Sequence, residues 1–383
     1  MKTWEKWWLR GAVMVVVMVL LSASPVFAKS NQVDKEGETY QGKMTLVTNT
    51  NFDISNDEAF KAALSTGETA KLSSFPEASP LTDQMAMQQC GTLAIDQGNV
   101  DLGEVRTTAE ATPAVTYKVG DKKELSMIVG INADQSEQFE KITHTCLATG
   151  EHCTVWYADT TQTEAAQNLA AKFDGYYAKM VNGFGSPEAA DVDHDGKVAV
   201  VVTSMDSIIA GYFWDEDLTR EGEQMDRVNI NQRIAYTAYQ ECTLCHEFQH
   251  LINFAQVGKN RDSWLNEVFS QSAPVVAGVD YEETTTMSNL MLTAYIKKYQ
   301  QTIPFIFKGD YVPLTGNEAV IVYAEWFLFS RYLSAQTQGY SGGGDTIYKT
   351  ILNYDTGDGE HACTREVLTN VLKEKGVIST SGN

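Results

Sequence analysis

The amino-acid sequence predicts an α+β domain, with strands in its first half and helices in its second. Between residues 117 and 157, short apolar runs are separated by polar turns, a pattern typical of antiparallel strands. From residue 163 onward, apolar residues recur every three or four positions over longer stretches, which indicates helices. Strands followed by helices are the order expected of an α+β fold.

The predicted strands are short. Runs at 125–129, 142–147 and 153–157 predict a small antiparallel sheet in the N-terminal part of the domain. Continuous apolar character predicts a further strand at 198–203, and 227–231 is the next candidate.

The helices are longer and become more frequent toward the C-terminus. Residues 163–182 have an apolar face at helical spacing, and Gly183 is placed to end the helix. Further helices are expected at 287–299, 319–333 and 364–373.

The first 28 residues have the pattern of a secretory signal. A basic start precedes an apolar run at 12–21, and Val26-Phe27-Ala28 suits signal peptidase. We therefore expect cleavage after Ala28 and export of the mature chain. A retained N-terminal membrane anchor is the alternative, although the apolar run is short for a membrane span.

Residues 29–114 are polar and lack periodicity, so they are expected to be a propeptide, a mobile extension or a small accessory domain. The chain carries 50 acidic and 29 basic residues, a formal net charge of −21. Such an acidic chain repels nucleic acid and anionic membranes, so neither is expected as a partner after signal cleavage. No pattern indicates an oligomeric state.

The segment His246-Glu247-Phe248-Gln249-His250 carries the most chemical information. Residues four apart lie on one face of a helix, so His246 and His250 can bind one metal ion together. Glu247 lies too far round the helix to join them as a ligand, but it can reach a water molecule beside the metal. The alternative is an ordinary amphipathic helix whose histidines are solvated or packed.

A catalytic zinc usually has three protein ligands, and Glu267 is the candidate for the third. The polar segment 256–262 contains a glycine and predicts a turn, and Asp262 or Ser263 can cap a new helix. A second helix that returns antiparallel would bring Glu267 beside the two histidines.

The segment 246–254, followed by Trp-Leu-Asn-Glu at 264–267, resembles the hyicolysin-type family of secreted bacterial zinc metallopeptidases, a gluzincin group. Weaker similarity extends the resemblance over about residues 115 to 370. It implies that residues 115–383 form a zincin-type zinc metallopeptidase catalytic domain, with a metal-binding active-site helix and a mainly helical C-terminal part. The implied substrates are proteins or peptides.

The resemblance also implies residue roles. Zn²⁺ held by His246, His250 and Glu267 would activate water, and Glu247 would act as the general base. Tyr323 is the candidate hydrogen-bond donor to the developing oxyanion; alternatively, it is a core aromatic residue.

Two positions depart from the family pattern. Val268 stands where the family usually has glycine, and Cys245 stands where it usually has a small residue. These departures leave open a catalytically weak extracellular binding or adhesion protein, and a zinc hydrolase with a non-peptide substrate is a third hypothesis. Cys245 as a thiolate ligand would point off the histidine face.

Six cysteines fit an oxidising compartment. Cys146 and Cys153 flank Thr149-Gly150, and a hairpin turn there would place them opposite each other, so a disulfide is predicted. Cys242 and Cys245 have several alternatives: pairing with each other, pairing with Cys90 and Cys363, or remaining free.

Asp191, Asp193, Asp195 and Gly196 resemble the first half of a calcium loop, which alternates carboxylates and uses glycine for its turn. The twelfth position is Val202 instead of the usual glutamate. The segment is therefore either a Ca²⁺ site or a plain acidic turn that leads into the strand.

Overall fold

The computed structural model of the protein describes residues 89–90, 92, 114–131, 137–206, 209–234, 237–279, 316–357 and 359–378. The predicted signal segment and the predicted helix at 287–299 lie outside these residues, as does most of the segment 29–114. None of the helices in the described part combines the length and apolar character needed to cross a bilayer.

The described strands form one seven-stranded mixed sheet in the order β1-β6-β7-β5-β4-β3-β2. Pairing is parallel for β1–β6, β7–β5 and β5–β4, and antiparallel for the other neighbours. The strands are β1 Gln89–Cys90, β2 Lys122–Ile131, β3 Glu137–Thr149, β4 Cys153–Tyr157, β5 Val198–Thr203, β6 Ile209–Tyr212 and β7 Arg227–Asn231.

The α+β class is confirmed, but the predicted small antiparallel sheet is only one end of this larger sheet. Its strands β2, β3 and β4 form an antiparallel meander, and β4 then pairs in parallel with β5. A parallel connection needs a crossover, and helix α1 (Thr163–Phe184) supplies it. Every residue of β4 and β5 is buried, as expected of strands covered on both faces.

Helices follow the sheet in the second half of the chain. They are α2 Thr237–Val257, α3 Ser263–Ala277, α4 Gly316–Thr337, α5 Ile347–Leu352 and α6 Arg365–Glu374. Apolar residues of α1, α2, α3 and α5 share one core with the inner face of β4, β5 and β7. The opposite face of the sheet has a smaller core of its own, which includes Trp156 and Tyr212.

The predicted disulfide between Cys146 and Cys153 is wrong. All six cysteines lie in the described part of the chain, and none of them forms a disulfide there. Cys146 is opposite Trp156, and the register shifts between Cys146 and Ala148. As a result, Cys146 packs in the smaller core and Cys153 in the core beneath the helices, on opposite faces of the sheet.

Candidate metal centre

Helix α2 lies between the sheet and α3, and its buried face carries the two histidines of the motif. The chain reverses after Val257 through Gly258, whose positive φ of 58° is readily adopted by glycine. Asp262 then precedes α3 in an extended conformation, which turns the new helix back toward α2. This reversal brings Glu267 to the histidines.

Three side chains meet at this point. Nε2 of His246 lies 3.1 Å from Nε2 of His250. Oε2 of Glu267 lies 3.4 Å from Nε2 of His246, and Oε1 lies 3.4 Å from Nε2 of His250. All three residues are buried.

These distances fit a tetrahedral cation. Zinc ligands at about 2.0–2.1 Å on tetrahedral axes are separated from one another by about 3.3–3.4 Å. The two histidine nitrogens are 3.1 Å apart, and each lies 3.4 Å from a different oxygen of Glu267, so the three side chains surround a space of about that size. Oε1 of Glu267 is buried without a hydrogen-bond partner, as expected of an atom whose partner is a metal ion.

The charges of the three groups are coupled. Burial by itself would lower the pKa of His250, but the carboxylate of Glu267 raises it. Burial by itself would raise the pKa of Glu267, but His250 and His246 lower it. The pocket therefore stabilises a positive charge beside Glu267. A bound cation supplies such a charge directly.

Glu247 is fully buried next to this cluster. Its Oε2 accepts a hydrogen bond of 3.1 Å from the Thr92 hydroxyl, whereas its Oε1 is buried without a partner. Burial raises the pKa of Glu247, and the two histidines only partly offset that effect. A carboxylate with a raised pKa beside the metal position is suited to accept and release a proton.

Close packing holds this carboxylate in place. Gly211 of β6 lies against α2, and a Cβ atom there would come within 2.7 Å of the Asn229 carbonyl oxygen and 3.1 Å of Glu247 Cγ. Any larger residue at Gly211 would therefore push β6 away from the helix at the position of Glu247.

Tyr323 of α4 also faces the site. Its hydroxyl is buried without a hydrogen-bond partner. Burial raises the pKa of Tyr323 well above its usual value, and the charges of Glu267 and Glu247 add to this effect. Its ring packs edge-on against Trp326 at 5.4 Å.

The side chain that meets Nδ1 of His246, at 3.5 Å, is Gln271 of α3. Burial raises the pKa of Glu325 to about 8. Val268 and Cys245 are buried in the core beneath the helices, and burial raises the pKa of the Cys245 thiol well above its usual value.

Two residues that reach the cluster from far along the chain were not predicted from the sequence. Sγ of Cys90 lies 3.4 Å from Nε2 of His250, and Thr92 contacts Glu247. Both belong to the segment that the composition assigns to an extension. A cysteine in a polar segment without periodicity carries no signal for this position.

A second group of acidic side chains lies at the start of β5. Oxygen atoms of Asp191, Asp193, Asp195 and Asp226 all lie within 4.8 Å of one another. One oxygen each of Asp191, Asp193 and Asp226 is buried without a hydrogen-bond partner. Val202, at the twelfth loop position, is buried in β5.

Sequence reasoning missed Asp226, which directly precedes β7. The amide of Ala199 in β5 donates to the Asp226 carbonyl at 3.0 Å, because β5 and β7 are parallel neighbours. Burial, together with the charges of the other aspartates, raises the pKa of Asp226 well above its usual value. Burial and Asp193 raise the pKa of Asp195 to about 7. Four carboxylates in this arrangement favour a bound cation.

The chain is similar to the neutral metalloprotease ShpI of Staphylococcus hyicus. The two are 29% identical over 260 residues, a match that covers 58% of this chain and 52% of the relative. The chain is therefore related to a metalloprotease. It spans about half the length of that relative. A search against protein-family models found no match.

Proposed function

We propose that this protein is a secreted zinc endopeptidase of the hyicolysin type, which hydrolyses peptide bonds of protein substrates. The observation that carries the proposal is the convergence of His246, His250 and Glu267 in one buried cluster beside a separate buried carboxylate, Glu247. The relationship to a metalloprotease supports it. The secretory pattern at residues 1–28 supports an extracellular location.

Two imidazole nitrogens and one carboxylate are a ligand set that suits zinc, so these three residues would hold Zn²⁺. When bound, zinc lowers the pKa of water and polarises a carbonyl group. Glu247 accepts the proton of the attacking water and passes it to the departing amine. The hydrogen bond from Thr92 leaves Oε1 available for this transfer.

Tyr323 is proposed to donate a hydrogen bond to the oxyanion that develops on the scissile carbonyl. Its hydroxyl is uncharged because burial keeps its pKa high. The nearby charges of Glu267 and Glu247 raise that pKa further. A donor that makes no other hydrogen bond needs no rearrangement before it binds the oxyanion.

The alternative, a catalytically weak binding or adhesion protein, rested on Val268 and Cys245. Both side chains lie in the core and contribute no atom to the metal cluster. Neither substitution therefore removes a ligand, the general base or the candidate donor.

The test is a comparison of Glu247→Gln with Glu241→Gln. Both glutamates are buried on α2, but Glu241 contacts Tyr176 and Lys172, away from the metal cluster. We expect Glu247→Gln to retain one zinc per chain and to lose nearly all hydrolysis of casein, while Glu241→Gln keeps its activity. Casein cleavage by Glu247→Gln at the parent rate would refute the proposed chemistry, and absence of zinc from the purified parent would refute the metal site.

We also propose that Asp191, Asp193, Asp195 and Asp226 bind a structural Ca²⁺. Carboxylate oxygens are the ligands that Ca²⁺ prefers, and Asp226 supplies an acidic ligand in place of the missing glutamate of a calcium loop. Calcium content measured after metal depletion and reconstitution tests this site directly. No bound calcium after reconstitution would refute it.

A further inference from the structure

Cys90 lies in the part of the centre where a fourth metal ligand would bind. Its Sγ is 3.4 Å from Nε2 of His250 and 3.6 Å from Oε2 of Glu247. Ligand atoms of Cys90, His246, Glu247 and His250 all lie within 4.8 Å of one another. Cys90 and both histidines are buried.

The Cys90–His250 distance suits shared coordination. A zinc ion with a sulfur ligand at about 2.3 Å and a nitrogen ligand at about 2.05 Å separates the two atoms by about 3.6 Å on tetrahedral axes. The observed separation is 3.4 Å. The unpartnered Oε1 of Glu247 beside this position is an independent sign that the pocket is built to hold a ligand or substrate.

The backbone around Cys90 holds the thiol at this position. Strand β1 adds to the edge of the sheet in parallel with β6, with Cys90 opposite Gly211. Thr92 then accepts a hydrogen bond of 2.8 Å from the Phe213 amide. An exposed strand edge is a common binding site for extended peptides, and here a segment of the same chain occupies it.

We propose that Cys90 is the fourth ligand of the zinc ion in a latent form of the enzyme, and that strand β1 and Thr92 block access to the site. This proposal rests on the proposed function. On coordination, the thiol would release its proton to solvent, and the sulfur would donate a lone pair to the ion. Release of the segment frees both the fourth metal position and the edge of β6 for a substrate.

Cobalt spectroscopy tests the ligand directly. The intact chain loaded with Co²⁺ should have a near-ultraviolet sulfur-to-cobalt absorption band, and Cys90→Ser should lack it. Cys146→Ser is the matched control, since Cys146 is buried on the opposite side of the sheet and should leave the band unchanged. If cobalt binds at one ion per chain but the parent has no sulfur band, this inference is wrong and the proposed function stands. If no cobalt binds, both are wrong.

Labelling of the unmodified chain gives a second readout that needs no variant. Iodoacetamide should leave Cys90 unlabelled in the zinc-loaded protein and label it after chelation, as measured by peptide mapping. Equal labelling in both states would overturn the inference.

The intact Cys90→Ser chain should also cleave casein about tenfold or more faster than the intact parent, since most parent molecules hold a blocked site. Equal rates would overturn the latency.

Discussion

The acidic cluster at the start of β5 predicts a stability that depends jointly on calcium and pH. The pKa of Asp195 is raised from 3.8 to about 7 by burial and by Asp193. A shift of this size corresponds to about 4 kcal/mol at full burial, and solvent screening of the half-buried side chain reduces it to about 2 kcal/mol. Since the folded pKa exceeds the unfolded value, this penalty is absent below about pH 4 and complete above about pH 7.

Calcium should remove this penalty, because a bound cation favours the ionised carboxylates. We expect calcium to raise the melting temperature more at pH 8 than at pH 5.5, where protons compete for the same oxygens. About half of the penalty develops between these two pH values, and about 1 kcal/mol corresponds to a difference of about 2–4 °C for a domain of this size. Thermal unfolding by circular dichroism, with zinc held constant and calcium added or removed, measures it.

Asp226→Asn separates this explanation from a general effect of salt. The variant should lose most of the response to calcium, and without calcium it should melt no lower than the parent at pH 8, because one of four clustered charges is gone. Asp355→Asn, at an exposed carboxylate, should respond as the parent does. An equal calcium shift at both pH values, or an unchanged response in Asp226→Asn, would refute the reasoning.

Three further outcomes are expected. Tyr323→Phe should lower kcat/KM for a peptide substrate about a hundredfold through loss of the oxyanion donor, with zinc content unchanged, and normal turnover would exclude Tyr323 from the mechanism. Asp217→Ala should lower the free energy of unfolding in urea by about 3–5 kcal/mol, because it leaves the charge of Arg227 buried without its ion-pair partner. A loss below about 1 kcal/mol would contradict this. A reductant should leave the melting temperature unchanged, since Cys146 and Cys153 lie on opposite faces of the sheet, and a clear drop would indicate a disulfide.

Local sequence patterns located several elements closely. The predicted strands at 153–157, 198–203 and 227–231 have the bounds of β4, β5 and β7. Their continuous runs of buried residues make them recognisable without knowledge of their partners. The predicted strand at 142–147 is the buried end of the longer β3, whose first half is largely exposed and carries no apolar signal.

Strand pairing was harder to predict from the sequence, because it depends on contacts between distant segments. The hairpin of β3 and β4 was predicted to align Cys146 with Cys153, but the register shift near Ala148 places their side chains on opposite faces. One extra residue in a strand reverses the direction of the side chains beyond it, and no residue in the hairpin signals the shift.

The sequence by itself determined the local part of the candidate metal centre. A helix places His246 and His250 on one face because of its 3.6-residue period, and the turn after Val257 indicated that Glu267 would return to them. Only the tertiary structure brought Cys90 and Asp226 to the two clusters, since each arrives on a strand whose neighbour is far away in the chain. Helical spacing is a property of adjacent residues, whereas the partner of a parallel strand is chosen by the packing of the whole sheet.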